Sequence, residues 1–101
     1  MLGRVHWLLW NLSSEFKGKY VLKFDYRFHN YLFYRFNPHT RKIGQVFQVI
    51  RTSKRCFRLM YYNNGYFEYY SFNTSKKCAE KMIALDLERE RGENFSKGVP
   101  P

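Results

Sequence analysis

An Asn-Gly pair between two aromatic runs constrains the fold of this chain more than any other feature. Asn64 and Gly65 separate RCFRLMYYN from YFEYYSF, and both residues tolerate the positive φ of a two-residue type I′ turn. After Phe72 the apolar spacing changes from two to about 3.6, which predicts a helix capped by Asn73 or Thr74. A hairpin followed at once by a helix predicts an α+β unit, with the helix packed on one sheet face.

The turn also predicts the register of this hairpin. One side should pair Tyr62 with Phe67, Met60 with Tyr69 and Arg58 with Ser71, and the other Leu59 with Tyr70 and Phe57 with Phe72. The second side is apolar enough to accept the helix. The first side would then be a cationic, aromatic surface.

Three further strands are predicted upstream, over Lys19–Phe28, Tyr31–Phe36 and Gln45–Arg51. The fold class is therefore α+β: a meander of about five short antiparallel strands with one C-terminal helix packed on one face. Residues 19–91 form this domain, the structure of residues 1–18 is left open, and residues 92–101 are expected to be a flexible tail.

The charge of this chain is large and unevenly distributed. The net charge is +10, and residues 1–78 carry 14 Lys and Arg against 3 Asp and Glu, whereas residues 79–101 carry 4 against 5. A basic sheet with a near-neutral helix is expected if the helix faces away from a polyanion. The same charge could instead serve only to keep a chain with 21% aromatic residues in solution.

The sequence predicts an intracellular protein without a membrane segment. Val5–Trp10 is too short to span a bilayer and lacks a small-residue cleavage site. Cys56 and Cys78 lie on predicted regular elements without metal or redox spacing, so buried free thiols in a reducing compartment are expected.

Enzymatic patterns are weak, and the sequence predicts no catalytic residues, no metal and no cofactor. The three histidines, His6, His29 and His39, show no metal-ligand spacing. Outside the helix region the acids are Glu15, Asp25 and Glu68, too few to place around a magnesium ion.

A cluster of cations beside aromatic residues predicts a nucleic-acid surface. Cations neutralise phosphates, and exposed rings stack on unpaired bases. Arg58 could instead reach a guanine edge in the major groove. The predicted binding residues are Arg51, Lys54, Arg55, Arg58, Tyr62, Phe67 and Tyr69.

Residues 47–83 resemble the AP2-like DNA-binding domain. The match lies in the Asn64-Gly65 turn before the last strand, the Phe72-Asn73-Thr74 helix start and Ala79. The resemblance implies three antiparallel strands, a following helix, and DNA contacts from strand positions at Arg51, Arg55 and Arg58. Phe57 and Ser71 replace the family's Trp and Gly. Ile43-Gly44-Gln45 and the element count are also similar to a WGR domain, although its Trp-Gly-Arg is absent.

The sequence therefore predicts a small basic protein that binds nucleic acid, DNA in preference to RNA, and is not an enzyme. The alternative is a protein-interaction module, such as an inhibitor that binds a host protein through the aromatic surface, because Tyr, Phe and Arg also form interface hot spots. The abundance of Phe, Tyr, Lys and Asn suits an AT-rich genome, such as that of a virus or phage.

Overall fold

The chain folds into a five-stranded antiparallel sheet with helices on one side, in a computed structural model that describes residues 7–37, 40–63 and 65–96. The elements are α1 (Trp7–Asn11), α2 (Ser14–Lys19), β1 (Val21–Asp25), β2 (Asn30–Asn37), β3 (Lys42–Ser53), β4 (Cys56–Asn63), β5 (Tyr66–Phe72) and α3 (Ser75–Ser96). The strand order β1-β2-β3-β4-β5 confirms the predicted α+β meander with a C-terminal helix.

The β4–β5 hairpin has the predicted register. Tyr62 pairs with Phe67, and Met60 pairs with Tyr69. Gly65 adopts a φ of 91°, which explains why glycine stands in this turn. Asn64 lies outside the described residues, as do His6, His39 and the last five residues of the predicted tail.

Helix α3 begins with the predicted threonine cap. The Thr74 hydroxyl accepts a hydrogen bond from the Lys77 backbone N–H at 3.1 Å. The face turned to the sheet is buried and contains Cys78, Ala79, Met82 and Leu85. The helix continues to Ser96, five residues past its expected end near Arg91, so it includes the first part of the segment assigned to the tail.

Residues 7–11 and 14–19 are helical, in a segment whose structure the sequence left open, and the first strand is shorter than predicted. Ser13 caps α2 by accepting from the Phe16 backbone N–H, and Lys19 ends this helix instead of starting a strand. Phe16 is buried and stacks on Tyr20 at 4.5 Å between ring centroids. The strand stops at Asp25, because its carboxylate accepts from the Arg27 N–H at 3.0 Å and begins the turn.

The core lies between the helices and one face of the sheet. Its centre is Phe47 and Val49 of β3, both fully buried. Cys78 is buried there as a free thiol, and burial raises its pKa to about 12; Cys56 is also free but only half-buried. The other face of the sheet, here called the open face, has no helix packed against it among the described residues.

Candidate nucleic-acid interface

Side-chain alternation places an exposed aromatic cluster on the open face at β4 and β5. Residues of even number in β4 and odd number in β5 point away from the helices. Tyr69 is 69% exposed, Phe67 52% and Tyr62 38%. The Phe67 ring centroid lies 5.2 Å from that of Tyr62 and 6.4 Å from that of Tyr69, so the three rings, here called the ring triad, form one surface.

Arg58 adjoins the ring triad from β4, the strand that also carries Tyr62 and that pairs with the strand of Phe67 and Tyr69. It pairs with Ser71, and Met60, two residues further along, pairs with Tyr69. Arg58 and Tyr69 are therefore diagonal neighbours, with Cα atoms about 7–8 Å apart. The Arg58 side chain is exposed, so its guanidinium is available to a phosphate beside a ligand stacked on Tyr69.

The antiparallel meander collects further cations at one end of the sheet. The β1–β2 turn, the β3–β4 turn and the start of α3 all lie there, and the Arg51 N–H donates to the His29 carbonyl between the first two. The cations carried by these segments, here called the basic end, are Arg27, Lys54, Arg55, Lys76 and Lys77. Asp25 offsets part of this charge, since its carboxylate lies 3.6 Å from Nε of Arg27.

A shallow groove leads from the open face to the basic end. Arg55, Ser71, Asn73 and Lys77 are among the residues that line it. The acid of β5 is kept away from this path, because Glu68 lies on the helix side and accepts from the Tyr70 hydroxyl at 2.5 Å. That hydrogen bond, together with burial, raises the pKa of Tyr70 to about 12.

The structure brings six of the seven predicted binding residues together and separates the seventh. Four lie on the open face and two in the adjoining turn: Arg58, Tyr62, Phe67 and Tyr69, and then Lys54 and Arg55. Arg51 lies on the helix side, where it pairs with Phe57 and its guanidinium is 5.5 Å from the ring centroid. Its Nε also donates to the Ser53 carbonyl at 3.3 Å.

Three lysines of this surface are not among the binding residues predicted from the sequence: Lys23, Lys76 and Lys77. Lys23 is exposed on the open face, with its ammonium 5.5 Å from the Tyr34 ring centroid. Side-chain alternation along the first strand already places Lys23 on the face of the sheet that Phe24 does not occupy. Lys76 and Lys77 join the basic end because α3 starts where the β3–β4 turn lies, a proximity that no local pattern reports.

The acids of α3 do not all face solvent. Asp86 is buried, and its carboxylate accepts from Lys19 Nζ at 3.0 Å, from Arg35 Nη1 at 3.2 Å and from the Tyr20 hydroxyl. Glu90 contacts the same cations, at 2.7 Å from Lys19 Nζ and 3.3 Å from Arg35 Nη2. These five residues, here called the ion cluster, join α2, β2 and α3.

The ion cluster has the electrostatics of a structural site. The hydrogen bond from Lys19 lowers the pKa of Glu90, and the same bond raises the pKa of Lys19. Burial raises the pKa of Tyr20, so its hydroxyl stays protonated and donates to Asp86. Because both carboxylates already have cationic partners, the cluster holds elements together and offers little to a ligand.

The described part of the chain contains no helix with the length and apolar character needed to cross a membrane. Within residues 7–37, 40–63 and 65–96, no three His, Cys, Asp or Glu side chains are grouped to hold a metal ion. Comparison with protein-family models, curated proteins and solved structures finds no match to this chain.

Proposed function

We propose that this protein binds nucleic acid, DNA in preference to RNA, through the open face and the basic end. The observation that carries the proposal is the exposed ring triad beside Arg58, continuous with Lys54 and Arg55 in the next turn. Rings of this kind stack on bases, and the neighbouring cations neutralise phosphates. The preference for DNA rests on the resemblance of residues 47–83 to the AP2-like domain.

The distribution of acids supports this orientation. Exposed Glu80 and Glu88 are on α3, which packs on the helix side of the sheet, away from the ring triad. A polyanion on the open face would therefore meet Arg58 and Lys23 without facing these carboxylates. Intracellular action on a nucleic acid remains part of the proposal.

A protein-interaction module is the second candidate, because the same rings would also suit a protein partner. Tyr69 and Phe67 carry no charge and are among the most exposed aromatic side chains of the sheet. Such rings, next to an arginine, are typical of interface hot spots. The two candidates differ in salt dependence, since a hydrophobic protein interface lacks the counterion release of a polyanion complex.

The test measures affinity for fluorescent DNA and RNA, single-stranded and duplex, from about 50 to 200 mM salt. The triple variant Lys54→Ala, Arg55→Ala, Arg58→Ala should bind weakly. Its log–log salt slope should fall by roughly 0.7 per lost contact for single strands and 0.9 for duplexes. Lys42→Ala is the matched control, because it removes an exposed cation at the opposite end of the sheet. Glu88→Gln should leave affinity unchanged or raise it.

Unchanged affinity in the folded triple variant would refute the proposal. Failure of the wild-type protein to bind any of the four nucleic acids would refute it as well, and the protein-interaction candidate would then lead. Thermal unfolding of each variant establishes that affinity is compared between folded proteins.

A further inference from the structure

We propose that the open face is a single-strand site, on which unpaired bases stack on the ring triad while the phosphates follow Arg58 towards Lys54 and Arg55. This inference rests on the proposed function and adds to it the strandedness of the ligand and its path. Three features of the open face support it: the width of the sheet, the exposure of the rings and the hydrogen bonds between amide side chains.

The width of the sheet excludes insertion of the whole face into a DNA groove. Five neighbouring strands spaced about 4.8 Å apart place the outer strands roughly 19 Å from each other. The major groove is about 12 Å wide and admits a helix or a two-stranded ribbon. The ring triad projects from the face of this wide sheet, so a duplex that contacts the triad would also meet the neighbouring strands of that face.

An aromatic ring stacks on a base through its face, whereas a duplex offers only base edges in its grooves. Bases within a duplex are covered above and below by their neighbours, so Tyr69 could not stack on them unless they were unpaired. Single strands present free base faces, and each base stacked on an aromatic ring adds affinity independently of its sequence. The high exposure of Tyr69 and Phe67 fits this mode of contact.

Three amide side chains in the middle of the open face are hydrogen-bonded to one another, which uses part of their capacity to read base edges. Gln45 Nε2 donates to Gln48 Oε1 at 3.3 Å, and Gln48 Nε2 donates to Asn30 Oδ1 at 3.1 Å. Asn and Gln are the usual partners of adenine in the major groove, and they need free donors and acceptors for that contact. The middle of the open face is therefore better suited to supporting a strand than to reading a sequence.

The proposed path also predicts the length of the bound segment. Tyr62 and Arg58 are four residues apart on β4, a distance of about 13 Å, and Arg55 lies about 23 Å from Tyr62 along the chain. At about 3.4 Å per stacked nucleotide, the site covers roughly four nucleotides as far as Arg58 and seven as far as Arg55.

The experiment compares fluorescent oligothymidylates of about four, eight and sixteen nucleotides with a duplex of about sixteen base pairs, all at one salt concentration. Affinity should rise when the strand is lengthened from four to eight nucleotides. From eight to sixteen nucleotides it should rise only because the longer strand offers more positions at which the protein can bind. The single strand of eight should bind at least about tenfold more tightly than the duplex.

Substitutions in β5 separate the contribution of base stacking to affinity from the contribution of charge. Tyr69→Ala should weaken binding of the eight-nucleotide strand about 5- to 150-fold, whereas Tyr69→Phe keeps a ring there and should preserve affinity. Tyr66→Ala is the matched control, because Tyr66 is an exposed ring of the same strand that pairs with Asn63 outside the triad. It should have no effect.

The outcomes distinguish this inference from the function on which it rests. Duplex binding as tight as single-strand binding overturns the inference and leaves nucleic-acid binding in place. Normal binding by Tyr69→Ala together with impaired binding by Arg58→Ala also overturns the inference and leaves nucleic-acid binding in place. Phosphate contacts would then account for the affinity without base stacking. Absence of binding to every probe overturns both.

Discussion

Replacement of Asp86 by Asn tests how far the ion cluster stabilises the fold. Asn keeps the shape of the side chain and one acceptor oxygen, so packing is retained while the charge is removed and the second acceptor oxygen becomes an NH2 donor. The Asp86 side chain is 3% exposed, and its oxygens lie 3.0 Å from Lys19 Nζ and 3.2 Å from Arg35 Nη1. The substitution therefore leaves two partly buried cations with one carboxylate fewer.

The expected cost follows from this geometry. Loss of one partner from a buried ion pair costs about 3–5 kcal/mol. Here Lys19 and Arg35 are 27% and 21% exposed and keep Glu90 as a second partner, so we expect a cost at or just below the lower end of that range, about 2–3 kcal/mol. Glu90→Gln should cost about 1 kcal/mol or less, because the Glu90 side chain is 30% exposed and water can replace its contacts.

Urea unfolding near neutral pH measures these differences as shifts in midpoint at constant slope. Glu88→Gln is the control, since this exposed acid of the same helix should change the free energy of unfolding by no more than about 0.5 kcal/mol. If Asp86→Asn is as stable as Glu88→Gln, the charge of Asp86 does not stabilise the fold and the expected cost is wrong. If Glu90→Gln costs more than Asp86→Asn, exposure is a poor guide to the strength of these pairs.

Three further predictions concern a buried thiol and two glycines. Because burial raises the pKa of Cys78 from 9.0 to about 12, the stability it contributes is complete below pH 9 and is lost as the pH rises above it. The decrease in unfolding free energy between about pH 8 and pH 11 should be about 2–3 kcal/mol larger in the wild type than in Cys78→Ala, and equal decreases would contradict this. Gly65→Ala should cost about 1–2 kcal/mol in a urea midpoint measurement, since its φ is 91°. Gly92→Ala should instead stabilise α3 by about 0.5–1 kcal/mol, and a stabilising Gly65→Ala would refute the assigned turn.

The sequence predicts the β4–β5 hairpin well because its determinants are local. The Asn64-Gly65 pair fixes the turn, and alternation then assigns every side chain of both strands to a face, including Tyr62, Phe67 and Tyr69. The position of Arg51 could not be obtained in this way. Counting back from the β3–β4 turn misplaces Arg51, because the register shifts between Arg51 and Ser53. Alternation within β3 does give its side, since Arg51 follows buried Phe47 and Val49 at intervals of two.

The sequence contains a signal for the ion cluster, in the spacing of the apolar residues of α3, which the distribution of charge along the chain does not show. Asp86 follows Met82 by four residues and Ala79 by seven, so it belongs to the apolar stripe of α3 and faces the core. An acid at such a position needs a buried partner. Its partner Lys19 lies 67 residues away and Arg35 lies 51 residues away, so helical periodicity could locate the acid but could not identify these cations.

The ion cluster also joins residues that the ribosome makes at different times. At roughly 5–20 residues per second, Lys19 waits about 3–13 s for Asp86, which follows it by 67 residues. The time between the synthesis of two paired strands is shorter, because each strand pairs with the strand that follows it in the sequence. A nascent chain can thus add the sheet hairpin by hairpin. Its apolar side stays partly uncovered until synthesis has passed Met82 and Leu85, the α3 residues that are buried against it.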